Sequence, residues 1–141
     1  MTQHETFTVS RFYVLIDNVA QALFTEVSGL QVETEVKEYA EGGNNEFVHR
    51  LPGRTKVSNV TLKRGITRSN ELFKWYMKIA RGTIDRRNVS VVMYGVDGSE
   101  VLRWNFLSAY PVRWIGPSFA ASQERNAVET LELAHAGMQL G

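Results

Sequence analysis

Apolar and polar residues alternate with a period of two along most of this chain, and with a period near 3.6 along one stretch only. Ser10–Asp17 sets Phe12, Val14 and Ile16 on one face and Arg11, Tyr13 and Leu15 on the other, before turn chemistry at Asp17-Asn18. A second strand is expected near Ala22–Val27, stopped by Ser28-Gly29. Leu30–Tyr39 alternates most cleanly, with Leu30, Val32, Thr34 and Val36 against Gln31, Glu33, Glu35 and Lys37. That pattern predicts a half-buried strand of an antiparallel sheet, long enough for one end to project from the body of the domain. Lys56–Arg64 alternates again, with Ser58, Val60 and Leu62 opposite Val57, Asn59, Thr61 and Lys63, and it closes at a basic turn, Lys63-Arg64-Gly65. Asn88–Val96 is an apolar strand followed by Asp97-Gly98, a strong hairpin signal. Val101–Leu107 then pairs back, and Tyr110–Ile115 is a further strand after a short turn. Asn126 to about His135 is the last strand, with Leu131 and Leu133 inward, and Gly137–Gly141 reads as a loose tail.

The helical stretch begins at Ser69, a good N-cap, with Glu71 in the first turn beside the positive end of the helix. Leu72, Trp75, Tyr76 and Ile79 follow helical spacing, and Phe73, Met77 and Ala80 widen the apolar face. Lys78 and Arg81 fall in the last turn, with Gly82 as the stop. Glu41–Thr55 has no period. Loops of more than about 12–15 residues are uncommon and usually functional or disordered, and Phe47, Val48 and Leu51 are residues a solvated loop does not need. This loop is expected to dock on a neighbouring copy. The elements together predict a mainly β fold: two packed antiparallel sheets forming a barrel or sandwich, about eight strands, one flanking α-helix and a long inter-strand loop.

A length of 141 residues suits one domain, read here as 1–141 with flexible ends at about 1–8 and 138–141. With 43% hydrophobic and 22% charged residues, a core without staples is expected. The absence of cysteine excludes disulfides, thiolate catalysis and cysteine-held metals. Met1–Thr8 is polar and lacks the apolar region of a secretory signal, and no apolar run reaches the ~18 residues of a membrane span. Synthesis in the cytoplasm is expected, without membrane insertion by this chain alone. The acceptor patterns at Asn59-Val60-Thr61 and Asn88-Val89-Ser90 then read as chance.

Net charge is +1, but residues 50–87 hold 11 of the 16 basic side chains and only 2 of the 15 acidic ones, while residues 1–49 carry a net −6. Two arrangements are open. The signs can segregate onto opposite faces and serve a head-to-tail contact, or interleave in space and neutralise locally. Chemistry is sparse. His4, His49 and His135 are scattered, with no HxH or HExxH spacing to seat a metal. Ser28-Gly29, Gly42-Gly43 and Lys63-Arg64-Gly65 lack the spacing of a nucleophile elbow or a phosphate loop. Glu33 and Glu35 share a strand face, but no second group stands near them for acid–base work, so they read as a solvated or interface stripe. No catalytic, cofactor-binding or metal-ligating residue is expected, and no cofactor.

In chain order, FTEVSGLQVETEVKEY (24–39), GGNNEFVHRLPG (42–53), VTLKRG (60–65), SNELFKW (69–75) and PSFAASQERNAVETLELAHAG (117–137) resemble the tail tube proteins of contractile phage tails and contractile injection systems. The type VI secretion tube protein is similar in architecture. The resemblance spans about Phe12–Gly137 and implies six-membered rings, sheets joined across subunits around a channel, and rings stacked into a tube that a contracting sheath drives forward with its spike. The implied partners are other copies, spike, baseplate and sheath proteins, and a cargo of protein toxin or DNA. Within that family the loop region contacts neighbouring subunits, so Gly42, Gly43, Leu51, Pro52 and Gly53 carry over as contact or loop-shaping positions. Asn44, Phe47, Lys63, Arg64, Glu33 and Glu35 complete the interface candidates. Both a bulk tube subunit and a tube-initiating layer at the baseplate fit, with the EGGNN loop and LKRG turn leaning toward the second. The competing reading is a nucleic-acid-binding β-barrel that uses the basic block with Phe73, Trp75 or Tyr76 as stacking platforms. A third, a small-ligand barrel, needs an apolar pocket with a few polar groups.

Overall fold

A computed structural model describes residues 11–17, 19–40, 48–119 and 127–141. The alternating segments become ten strands and one helix among these residues: β1 (Arg11–Ile16), β2 (Val19–Leu23), β3 (Glu26–Ser28), β4 (Val32–Ala40), β5 (Val48–Val57), β6 (Val60–Gly65), α1 (Glu71–Ala80), β7 (Arg87–Tyr94), β8 (Glu100–Ile115), β9 (Val128–Ala134) and β10 (Gly137–Leu140). All pairings are antiparallel. β2-β1-β7-β8-β10 makes one layer and β8-β9-β6-β3 the other, so β8 belongs to both. The ladder does not close into a barrel; the layers face each other as a sandwich. Inward positions alternate as the sequence requires. Val14 and Ile16 of β1, Val60 and Leu62 of β6, Val89 and Val91 of β7, and Leu131 and Leu133 of β9 are all buried.

Several boundaries differ from the sequence reading, each for a local reason. The strand expected at Ala22–Val27 breaks at Phe24, whose ring turns into the core while the chain crosses from one layer to the other. Thr25 N then donates to Lys63 O at 2.8 Å, starting β3 on the edge of β6. Val101–Leu107 and Tyr110–Ile115 are not two strands but the single 16-residue β8. Its bend is a bulge at Ser108, which takes φ 52°, and the Asn88 side-chain oxygen accepts the Ser108 N–H at 3.1 Å. The expected loose tail is β10, paired with Trp104–Leu107 of β8 and packing Met138 against the core. Lys63 and Arg64 form no turn: both lie inside β6.

Helix α1 plugs one end of the sandwich with Leu72 and Trp75, both buried. Its N-cap is Asn70 rather than Ser69, without a side-chain capping bond. At the C-terminus Gly82 takes φ +91°, its N–H bonds Ile79 O and the Thr83 N–H reaches Lys78 O, the paired bonds of a Schellman stop. Trp75 Nε1 donates to Asp85 O at 2.8 Å, and the Arg87 guanidinium lies over the Trp75 ring at 4.9 Å. Arg87 also bonds the Asp85 carboxylate, which chiefly for that reason ionises below the usual aspartate range. This contribution is present above that range and is lost as pH falls through the depressed value.

At the same end Arg64 and Glu129 are direct cross-strand partners of β6 and β9, each about 4% exposed. Arg64 Nε donates to one carboxylate oxygen, Trp114 Nε1 donates to the other at 3.0 Å, and the guanidinium stands 5.6 Å from the Phe24 ring centre. Removing one member of such a pair leaves a buried charge without its counter-charge. Glu129→Ala is therefore expected to cost about 3–5 kcal/mol in urea unfolding, and replacing both residues with aliphatic ones of similar volume much less. At the opposite end, Gly29 has φ +91°, and a Cβ there would sit 2.2 Å from Asn59 O. Gly82 has the same φ with nothing within 4 Å. Gly82→Ala is expected to cost about 1–2 kcal/mol, the strain of a left-handed residue, and Gly29→Ala distinctly more. Equal losses in matched denaturant curves would show that the Asn59 contact carries no weight.

Candidate assembly surface

The sandwich ends at Gly29 and Val60, and between those points the chain leaves it as a two-stranded ribbon, β4 with β5. The register pairs Val32 with Val57, Thr34 with Thr55, Val36 with Pro52, Glu38 with Arg50 and Ala40 with Val48. Since partners share a face, one side of the ribbon is largely valine, threonine and proline, interrupted by the Glu38–Arg50 ion pair at 3.2 Å. The hydroxyls of Thr34 and Thr55 meet at 3.0 Å on this side. The other side opposes Glu33 to Lys56, Lys37 to Leu51 and Tyr39 to His49, whose rings stack at 5.2 Å. Val32, Val36, Tyr39, Val48 and Leu51 are each about half exposed. At its root the Ser58 N–H bonds Gln31 O at 3.1 Å, and His135 Nε2 donates to Ser58 O at 2.9 Å. An isolated two-stranded ribbon is at best marginally stable in water, and contiguous exposed apolar residues mark contact surfaces.

The sequence placed Leu30–Tyr39 as half-buried, and in the chain alone it is exposed on both faces. It placed Glu41–Thr55 as an aperiodic loop, but Val48–Val57 is a strand, with Leu51, Pro52 and Gly53 inside it. Pro52 is tolerated because this strand has a single neighbour and need not donate on its other side. A register shift between Thr34 and Val36 hides the alternation of β5 from sequence reading. Gly53 lies where a Cβ would come within 3.2 Å of Glu35 O and of the Lys37 side chain, so the ribbon closes tightly there. Glu33 and Glu35 are exposed on the ribbon. Lys63 faces outward from β6, 3.2 Å from Glu26 on β3. Arg64 is buried in its own chain and is not presented to a neighbour, because β6 alternates through it and Glu129 waits opposite. Gly42, Gly43, Asn44 and Phe47 lie outside the described residues. Val32, Val36 and Tyr39 were missed as surface residues, since an alternating strand does not say which molecule covers it.

Much of the basic block is neutralised within the chain. Arg50 pairs with Glu38, Lys63 with Glu26 and Arg64 with Glu129, while Lys78 and Arg87 share Asp85. Of the stacking platforms named for a nucleic-acid barrel, Trp75 is buried and Tyr76 half-buried, while Phe73 is 40% exposed with its ring 4.8 Å from that of Trp114. Among the described residues no group of three or more His, Asp or Glu side chains could hold a metal ion, and no helix is long and apolar enough to cross a membrane.

Solved structures share this arrangement. A chain of the six-fold symmetrised baseplate of the anti-feeding prophage is 26% identical, with 97% of each chain covered and a TM-score of 0.84. A chain of the PVC sheath–tube complex, an extracellular contractile injection system in its extended state, is 26% identical over 96% of this chain and 91% of that one, with a TM-score of 0.86. Hcp1 from Flavobacterium johnsoniae, at 17% identity, covers 93% of this chain and 94% of its own with a TM-score of 0.63, a likeness of fold. No curated protein sequence matches. The family model of T4-like virus tail tube protein gp19 matches residues 8–139, and over that span the chain belongs to the gp19 tail tube family.

Proposed function

We propose that this chain is a non-enzymatic structural subunit of the inner tube of a contractile injection system or phage tail. Six copies form a ring and rings stack into a hollow tube inside a phage-tail-like particle built after cytoplasmic synthesis. The observation that carries this reading is the β4–β5 ribbon: on the scaffold of a tail tube family, it extends half-exposed apolar residues beyond the body of the domain, Val32, Val36 and Val48 on one face and Leu51 on the other. Covering those residues with another copy removes apolar surface from water, at roughly 25 cal/mol per Å². A contact between two different patches on identical subunits closes into a ring where its rotation closes and runs on as an open filament where it does not, and a tube of stacked rings uses both.

The partners follow from that position. Sheath subunits surround the tube, spike and baseplate proteins stand at its end, and a protein toxin or DNA occupies the channel. Likeness to a baseplate chain and to a sheath–tube chain supports both a tube-initiating layer and the bulk of the shaft.

Negative-stain electron microscopy of concentrated protein tests the reading. Six-fold rings or hollow stacks are expected, and monomers in the presence of baseplate components as well as alone would overturn it. Val36→Asp and Leu51→Asp change exposed positions, so their unfolding free energies are expected to move by no more than about 0.5 kcal/mol while rings and stacks are lost. Assembly that persists in both variants would remove the ribbon from the interface.

A further inference from the structure

Part of the inner face of the first layer is left uncovered by the described residues. Two cross-strand pairs, Phe12 with Met93 and Val91 with Trp104, form one side of a groove of about 380 Å³. Val27 and Leu30, where the chain runs from β3 to the root of the ribbon, form the other. Thr25 and Glu26 stand at its margin. Phe12, Val27 and Trp104 are only partly buried, and Leu30 is 41% exposed. Helix α1 packs elsewhere, against Arg87 at the start of β7 and Trp114 near the end of β8. The groove has room for an aromatic side chain and a neighbour, not for a further strand.

The chain enters β1 at this groove. Residues 1–10 precede Arg11, and Phe12 already stands in the groove wall. Met1–Thr8, expected from the sequence to be a flexible end, lies outside the described residues. Phe7 is the single aromatic residue among the first ten. Phe7 and Val9 are out of phase with the inward set Phe12, Val14 and Ile16, so a straight continuation of β1 would carry them on the outward side with Arg11 and Tyr13. It would also find no partner strand among the described residues. β7 ends at Tyr94, opposite Arg11, and β2 ends at Leu23, opposite Tyr13. A four-residue turn brings its ends within about 7 Å, so one turn between Phe7 and Phe12 is enough to bring the two side by side. The other segments outside the described residues join the fold elsewhere: position 18 at the far end of β1, 41–47 at the tip of the ribbon, ~30 Å from its root, and 120–126 beyond the far end of β8.

We propose that residues 1–10 form a strap across the groove of their own chain, with Phe7 seated against Phe12, Met93 and Trp104. The contact lies within one chain, so it goes beyond the tube reading and does not depend on it. Phe7 and the groove leave water together, and only a short segment already tethered at Arg11 has to be ordered. A group tethered this closely is present at an effective concentration on the order of millimolar, which a separate small molecule or a second copy would have to exceed.

The chain has no cysteine, so Phe7→Cys combined with Met93→Cys makes a protein with two thiols. A disulfide needs Cα atoms within ~7 Å of each other. Dilute protein is oxidised, and its products are separated by mass under denaturing, non-reducing conditions. The expected product is an intrachain disulfide. Little is expected when Phe7→Cys is combined with Tyr94→Cys, whose thiol stands one residue further on and on the opposite face of β7. Phe7→Ala alone is expected to raise the unfolding equilibrium constant about tenfold, the effect of exposing one well-buried aromatic side chain. Interchain dimers in place of the intrachain bond would show that the groove takes a second copy's segment and would overturn the strap. A Tyr94 pair that crosslinks as readily as the Met93 pair, with Phe7→Ala as stable as the parent, would overturn it as well. In both cases the tube reading stands.

Discussion

A straight strand cannot serve two layers, and this fold depends on one strand that does. β8 runs for 16 residues with β9 and β10 end to end along one side of it. On its other side β7 pairs as far as Ala109 and then stops. The register slips at Ser108 and again between Pro111 and Arg113, and at these points the strand turns from the first layer into the second. Each bulge adds a residue and increases local twist, which is how a strand changes sheets without losing its ladder. The positive φ of Ser108 is held by the side chain of Asn88, so one residue of β7 stabilises the corner on which both layers meet. α1 sits over the second half of the same strand, with Phe73 against Trp114 and with Leu72 and Trp75 reaching the core.

That corner makes the two ends of the domain unlike. One is closed by the helix and holds a buried ion pair with an indole donor. At the other, the described residues include no such cover, and from it the ribbon departs. An ion pair is a weak means of adding net stability, because desolvating two charges cancels most of their attraction. Its directional bonds do fix partners: Glu129 accepts from β6 and from β8 at once, which locks three strands of the second layer in register. A subunit with a closed end and an end that bears a projecting arm presents two different patches, as the head-to-tail contact of the proposed tube requires.

Much of this was legible in the chain. The inward sets of β1, β6 and β9 follow alternation, β7 reads as an apolar run in which Val89, Val91 and Val92 are all buried, and α1 follows its spacing and Gly82. Less legible was anything set by two distant segments at once. Nothing local to Tyr110 says that Ser108 can bend without ending a strand, since the Asn88 side chain that supports the bend lies 20 residues earlier. The tail pairs because β9 has already aligned it beside β8, and Gly-Met-Gln-Leu in isolation has no such preference. Arg64 looked like a surface cation because basic residues next to glycine usually mark turns. Counting by twos from Val60 and Leu62 puts it inside, but only knowledge of Glu129 as its partner makes that position acceptable.

The ribbon is where the sequence pattern and the isolated fold disagree, and the disagreement carries information. Val32, Thr34 and Val36 alternate with charges as regularly as any core strand does, yet among the described residues no layer covers them. Period-two alternation records that one face is apolar, not which molecule lies against it. A strand with the signature of burial, exposed in the single chain and fixed at its root by Gly29 and Ser58, is the feature on which the proposed contact with a neighbour rests. Charge is a poorer guide here, because five of the eleven basic residues that stand out along the sequence, Arg50, Lys63, Arg64, Lys78 and Arg87, pair within the chain once the strands are laid side by side. On the ribbon the fold leaves apolar residues uncovered beside charged ones, and it is the apolar ones, Val32, Val36, Val48 and Leu51, that gain from a partner.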